Sequence, residues 1–239
     1  MYRVIPFKVG ECYNEGPRVF YLGDCRRKIN LYNIFWLIKG QRERVLVDTG
    51  FDKGFAAGHM PDIKQHHDEN PIIQLQRVGV HSDDITKIIL THSHFDHLSP
   101  TVFEFKNAQV YIQQRELDCV LNPVHPWFRE FIDIETIIKL RDQGRFIVIS
   151  GDVDICPGIK AILTGGHSPG HQSIIVKTHK GSIILTGDIA FTYENINNDI
   201  PVGFNYNLEE CLLAMKRIRN MGYKIIPGHD PKVFDEEWF

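Results

Sequence analysis

No run of about 18 apolar residues, the length a membrane-spanning helix needs, occurs anywhere in the chain, so no membrane span is expected. The opening Met1-Tyr2-Arg3-Val4-Ile5-Pro6 lacks the long apolar segment of a signal peptide. Cysteine is sparse: Cys12, Cys25, Cys119, Cys156 and Cys211 are odd in number, widely spaced and form no C-x-x-C pair. That pattern argues against a disulfide framework and for a reducing cytoplasm, with each cysteine a small buried hydrophobe. A basic excess is missing too. A net charge of −3 gives no electrostatic case for nucleic acid, whose binders carry a basic stripe. Linkers, low-complexity segments and unambiguous repeats are absent, and 239 residues, 43% hydrophobic and 24% charged, suffice for one globular domain over 1–239.

What is present in unusual density is histidine at one place. The stretch Thr91-His92-Ser93-His94-Phe95-Asp96-His97 follows the apolar run Ile88-Ile89-Leu90, putting three histidines and a carboxylate on a loop at the end of a buried strand. Alternate side chains of an extended chain share a face. His92 and His94 therefore point at one ion, and the turn through Asp96-His97 aims the next two at a second position. Imidazoles with a carboxylate suit zinc or another borderline divalent metal better than calcium or magnesium, which take oxygen ligands.

Around this loop the chain reads as strands, then helices, then strands and a closing helix. Short strands are expected at 4–7 and 19–22, longer ones at 31–38 and 44–47. Asp48, at a buried strand end, reads equally as a turn cap or as an acceptor behind a ligand histidine. Residues 51–70 have no clear period and are expected to form a loop overhanging the site; His59, His66 and His67 within it stand outside the ligand set. Pro71 to Gly79 reads as a helix, 107–113 as a strand, 114–121 as a short helix and 127–141 as one amphipathic helix. Strands follow at 146–149, 159–163, 173–177, 182–186 and 223–226. Three of these lead into Gly166-His167, Gly187-Asp188 and Gly228-His229, where glycine lets the backbone turn sharply. Asn207 caps a helix whose apolar face is Leu208, Cys211, Leu212, Met215 and Ile218. Two packed sheets with helices outside and ligands along one edge follow from this order.

His92-x-His94-x-Asp96-His97, Gly166-His167-Ser168-Pro169-Gly170-His171, Gly187-Asp188 and Gly228-His229, in this order, resemble the metallo-β-lactamase superfamily signature over most of the chain. The resemblance implies an α/β αββα sandwich of two mixed sheets with helices outside. It also implies two divalent metals: one held by His92, His94 and His167, the other by Asp96, His97 and His229, with Asp188 bridging and His171 structural. Zinc is the metal expected, with iron, manganese and cobalt as alternatives. Asp48-Thr49-Gly50-Phe51-Asp52, His125-Pro126-Trp127-Phe128, the run from Gly187 to Asn195 and Pro227-Gly228-His229-Asp230-Pro231 resemble the N-acyl homoserine lactone hydrolase branch.

That branch opens lactones; two cations imply attack by a metal-bridging hydroxide, with Asp96 the candidate to pass the proton to the leaving alkoxide, and Phe51, Phe191 and Tyr193 read either as an apolar substrate pocket or as core. Two departures stand out: Leu98-Ser99-Pro100 replaces a glycine-rich sequence, and Phe191 stands where a tyrosine is usual. Tyr193 is the candidate to supply the missing hydroxyl, the second metal being the alternative. The expected partner is a small lactone or ester, without nucleic acid or membrane; a homodimer is admitted. A thioesterase of the glyoxalase II type, another ester hydrolase, or a non-catalytic metal-binding protein of the same fold are the competing readings.

Overall fold

The computed structural model describes residues 1–60 and 62–235. In the first sheet β1 (Arg3–Glu15), β2 (Lys28–Lys39) and β3 (Arg44–Val47) pair antiparallel, and β4 (Lys87–Ile89), β5 (Gln109–Gln113) and β6 (Phe146–Ile149) continue it in parallel. In the second, β7 (Val153–Cys156), β8 (Ile159–Leu163), β9 (Gln172–Thr178) and β10 (Gly181–Leu185) run antiparallel, with β11 (Lys224–Ile226) parallel to β10. Helices are α1 (Gly16–Val19), α2 (Lys53–His59), α3 (Pro71–Arg77), α4 (Gln114–Leu121), α5 (Ile134–Asp142), α6 (Tyr193–Asn198) and α7 (Leu208–Asn220).

Alternation along the strands builds the layers. Ile34, Trp36 and Ile38 of β2 share one core cluster with Val45, Val47, Ile174, Val176, Ile183 and Leu185, so this core lies between the sheets. Phe35 and Leu37, pointing the other way, join Leu46 and Ile88 beneath Leu75 of α3, Leu117 and Val120 of α4, and Ile137 and Leu140 of α5. On the opposite face Ile162 and Ile184 pack against Ala214, Met215 and Ile218 of α7. Each fully buried branched side chain contributes about 1.5–3 kcal/mol. Four layers result, the expected αββα order. Among the described residues no helix is long and apolar enough to cross a membrane.

Several local expectations are corrected. The apolar run 19–22 is not a strand: Gly16 and Pro17 open a helical turn, and proline in a first turn lacks a donor that would be unpaired there anyway. The single helix expected over 127–141 divides. Pro126 starts a 3-10 turn, and the Asp133 side chain accepts from the Thr136 amide and hydroxyl at 3.2 and 2.8 Å, capping α5 afresh. Residues 51–70 hold α2, capped by Asp52, rather than an uninterrupted loop; β7 and α6 were not anticipated. Leu212, 44% exposed, is replaced on the buried face of α7 by Ala214, which falls on the helical period with Cys211, Met215 and Ile218.

Candidate metal centre

Strand ends deliver the site. β3 leads to Asp48, β4 to Thr91 and the 92–97 loop, β8 runs into the loop carrying His167, β10 leads to Asp188, and β11 to His229. Gly187 turns the backbone with φ +55°, and a Cβ there would lie 2.6 Å from Nε2 of His171, which accepts the Asp188 amide at 2.9 Å. His171 is thus a buried support for the aspartate backbone.

The tautomers are set from behind. His229 donates from Nδ1 to the Tyr32 carbonyl at 2.9 Å, and His167 from Nδ1 to the Phe204 carbonyl at 2.8 Å. His97 donates from Nδ1 to Asp48 at 2.8 Å. Thr91 gives its hydroxyl proton to Asp48 at 2.9 Å and so accepts from Nδ1 of His92 at 3.1 Å. With Nδ1 engaged in this way, each of these rings turns its Nε2 inward. Nε2 of His92 and of His167 lie 2.9 and 3.1 Å from Nδ1 of His94, and one proton on that nitrogen serves only one of them. Asp188 lies between two groups. Its Oδ2 is 3.2 Å from His167 and 3.7 Å from His92, its Oδ1 2.9 Å from His229 and 3.3 Å from His97. Asp96 closes the second group, its Oδ2 3.6 Å from Nε2 of His97 and 4.0 Å from that of His229. The structure thus brings together all seven side chains expected as ligands, with His92, His94 and His167 in one group, Asp96, His97 and His229 in another, and His92, His97 and Asp188 in a third.

Charge follows position. Burial pushes His94 and His167 down to about 4 and His92 well below its usual value, leaving neutral donors. His97 goes the other way: burial opposes its charge, but Asp188, Asp96 and Asp48 together hold it well above the usual range. Burial likewise opposes the Asp188 anion, and His229, His97, His167 and His92 outweigh it, holding the carboxyl well below the carboxylate range.

The family profile of the Metallo-beta-lactamase superfamily matches residues 33–229. The chain belongs to that superfamily. The N-acyl homoserine lactonase AiiA of Bacillus thuringiensis subsp. kurstaki is 31% identical over 219 residues, 84% of this chain and 82% of that protein. The N-acyl homoserine lactonase AttM of Azorhizobium caulinodans is 28% identical over 82% of this chain and 81% of its own. A solved N-acyl homoserine lactone hydrolase, with N-hexanoyl-L-homoserine bound at its catalytic metal center, superposes with a TM-score of 0.82 at 26% identity, covering 99% of this chain and 98% of that one.

A metallo-β-lactamase fold of this kind implies two divalent cations on histidine and aspartate, and the residues here fit them. Nε2 of His97 is buried and has no hydrogen-bond partner among the described residues, although two carboxylates lie within 4 Å. Three imidazole nitrogens converge on one point without protons enough to bond one another. An orphaned buried nitrogen and crowded lone pairs are what a cation resolves.

Of the substrate residues expected, Phe191 alone reaches the cleft beside the acids, its ring centroid 5.2 Å from that of His229 and 5.8 Å from that of His167. Phe51 is core, 1% exposed beneath Gly10, with no lining role. Tyr193 is corrected too: it starts α6, its amide donates to Asp230 at 2.9 Å, and its ring packs against the inter-sheet core rather than lining the cleft. His59 remains outside the ligand groups, stacked on Phe55 at 4.6 Å between centroids.

Sequence reasoning missed Glu116. Buried in α4, it accepts from the Ser93 amide and hydroxyl at 2.9 and 2.6 Å, the Ser168 hydroxyl at 2.7 Å and the Gly170 amide at 2.9 Å, tying the two histidine loops together. The available signal was an acid on the same face as Leu117 and Val120. Glu116→Ala orphans four donors and should lower stability by about 3 kcal/mol, read as a fall of about 6–12 °C in Tm; an unchanged melting curve would contradict the tie. Asp48 is the acceptor behind His97, of the two readings left open for it. Asp48→Ala is expected to weaken metal binding by about 10–100-fold, measured by competition with a chromophoric chelator; wild-type affinity would show that His97 is oriented by something else.

Proposed function

We propose that the chain opens the ring of N-acyl homoserine lactones by hydrolysing the lactone ester, with two zinc ions held by His92, His94 and His167 and by Asp96, His97 and His229, Asp188 shared. The observation that carries this is the joining of two spaces at the metal groups. A narrow cleft holds Asp96, Asp188 and His229, and an apolar cavity of about 510 Å³, with Val120, Phe128 and Tyr206 in its walls, meets it at His94, His167, Phe131 and Phe204. A polar ring with an acyl tail fits that pairing, and the lactonase relatives favour it.

When bound, the two cations supply Lewis acidity, bringing the pKa of water to roughly 7 and polarising an ester carbonyl. The protein does the rest. Asp96, its side chain 19% exposed against 4% for Asp188, is the more accessible of the two acids in the cleft, and its carboxylate takes the proton of the attacking water and returns it to the leaving alkoxide. Phe131 and Phe204, edge to face at 5.1 Å, keep water from the tail. No serine or cysteine nucleophile is needed. A single domain in a reducing cytoplasm is part of this reading.

The test is hydrolysis of a homoserine lactone series of increasing acyl length by zinc-loaded protein, beside aryl esters and thioesters. Lactone opening with the highest kcat/KM is expected; preference for a thioester would replace this reading with the thioesterase one.

A further inference from the structure

We infer that Asn33 reads the amide of the substrate, a reading that rests on the lactone assignment and narrows it to lactones bearing an N-acyl group. Asn33 lies in β2 directly after Tyr32, whose carbonyl holds Nδ1 of His229, so it stands beside the second metal group. It is 3% exposed and lines the cleft with Asp96, Asp188, Phe191 and His229. Its Nδ2 is buried without a hydrogen-bond partner among the described residues. An unpaired buried donor destabilises the fold, so its retention in a cleft wall points to a ligand that pairs it.

The chemistry of the surroundings selects that ligand. Asn14, the other carboxamide on this wall, is engaged with the Cys12 thiol at 3.2 Å. Arg18, the cation there, lies over the Phe204 ring at 4.9 Å and the Phe131 ring at 5.5 Å, at the junction with the apolar cavity. Asn33 is thus a neutral group on the wall of the same cleft, beside the second metal group. A carboxamide offers one donor edge and one acceptor edge, the complement of a secondary amide, which donates N–H and accepts at C=O. In an N-acyl homoserine lactone the amide lies between ring and tail, and a ring seated by Asp188 with a tail beyond Phe131 leaves the amide between them. Asn33 is therefore a specificity residue, making a contact common to ground state and transition state.

Asn33→Leu keeps the shape and removes both edges. On an N-acyl homoserine lactone, kcat/KM is expected to fall about 10–100-fold, through KM with kcat little changed. On a γ-lactone with an alkyl substituent and no amide it should stay within about twofold. Metal content should hold and Tm should hold or rise, since a buried unpaired amide has gone. Equal losses on both lactones, or a fall in kcat alone, would place Asn33 at the reacting carbonyl or in the scaffold and overturn the inference; no loss on either would show that it touches no substrate. Should Asn33→Leu not fold, Asn33→Ser, too short to span both edges, is read by the same comparison. Wild-type protein with both metals bound that opens neither lactone removes the lactone reading and this one with it. Wild-type activity on both, with equal losses in the variant, removes this one alone.

Discussion

Asp188→Asn is expected to weaken metal binding at both positions together and to lower kcat/KM on a homoserine lactone by on the order of a hundred- to a thousandfold. Each carboxylate oxygen faces a different histidine group, Oδ2 toward His167 and His92, Oδ1 toward His229 and His97. Asparagine keeps the volume, but it removes the anion and turns one of those edges into a donor aimed at imidazole lone pairs. Breaking one member of a buried charge set costs about 3–5 kcal/mol, and here the loss falls on two cations brought close together. Metal content and activity should decline in step across a series of free-metal concentrations. A variant that keeps both metals and full turnover would move the shared ligand elsewhere.

Phe191→Tyr is expected to raise kcat, by up to about a hundredfold, while Tyr193→Phe leaves it unchanged. A preorganised donor to a developing oxyanion is worth about 3 kcal/mol, and the Phe191 ring stands between His167 and His229 on the cleft wall where such a donor would act. Tyr193 turns away: α6 begins there, and the side chain packs with the inter-sheet core. The measurement is kcat and KM on one lactone for the three proteins at equal metal loading. Slower turnover on loss of Tyr193, with no gain from Phe191→Tyr, would return the donor role to Tyr193.

Why the ligands were legible and other parts were not is a matter of where each signal resides. His92, His94, Asp96 and His97 lie within six residues and sit after a buried strand, so their chemistry is written locally; His167, Asp188 and His229 each follow a glycine beyond a strand end. Alternation such as Ile34, Trp36 and Ile38 against Phe35 and Leu37 fixes the layers for the same reason. Asn33 and Glu116 are set by partners from other strands and loops: Glu116 accepts from Ser168, and Asn33 lines the cleft that Asp188 also lines. Tyr193 was misplaced by proximity to Phe191 in sequence. Two residues on, the Thr192 cap of α6 has already rotated the chain away. The helix expected across 127–141 failed where composition outweighed the Asp133 cap.

The most direct test of the metal account is elemental analysis of protein purified without chelator, combined with activity before and after metal removal. Close to two divalent ions per chain are expected, with activity lost on removal and restored as the second equivalent is returned. One ion or none after reconstitution, or turnover that survives complete removal, would contradict it.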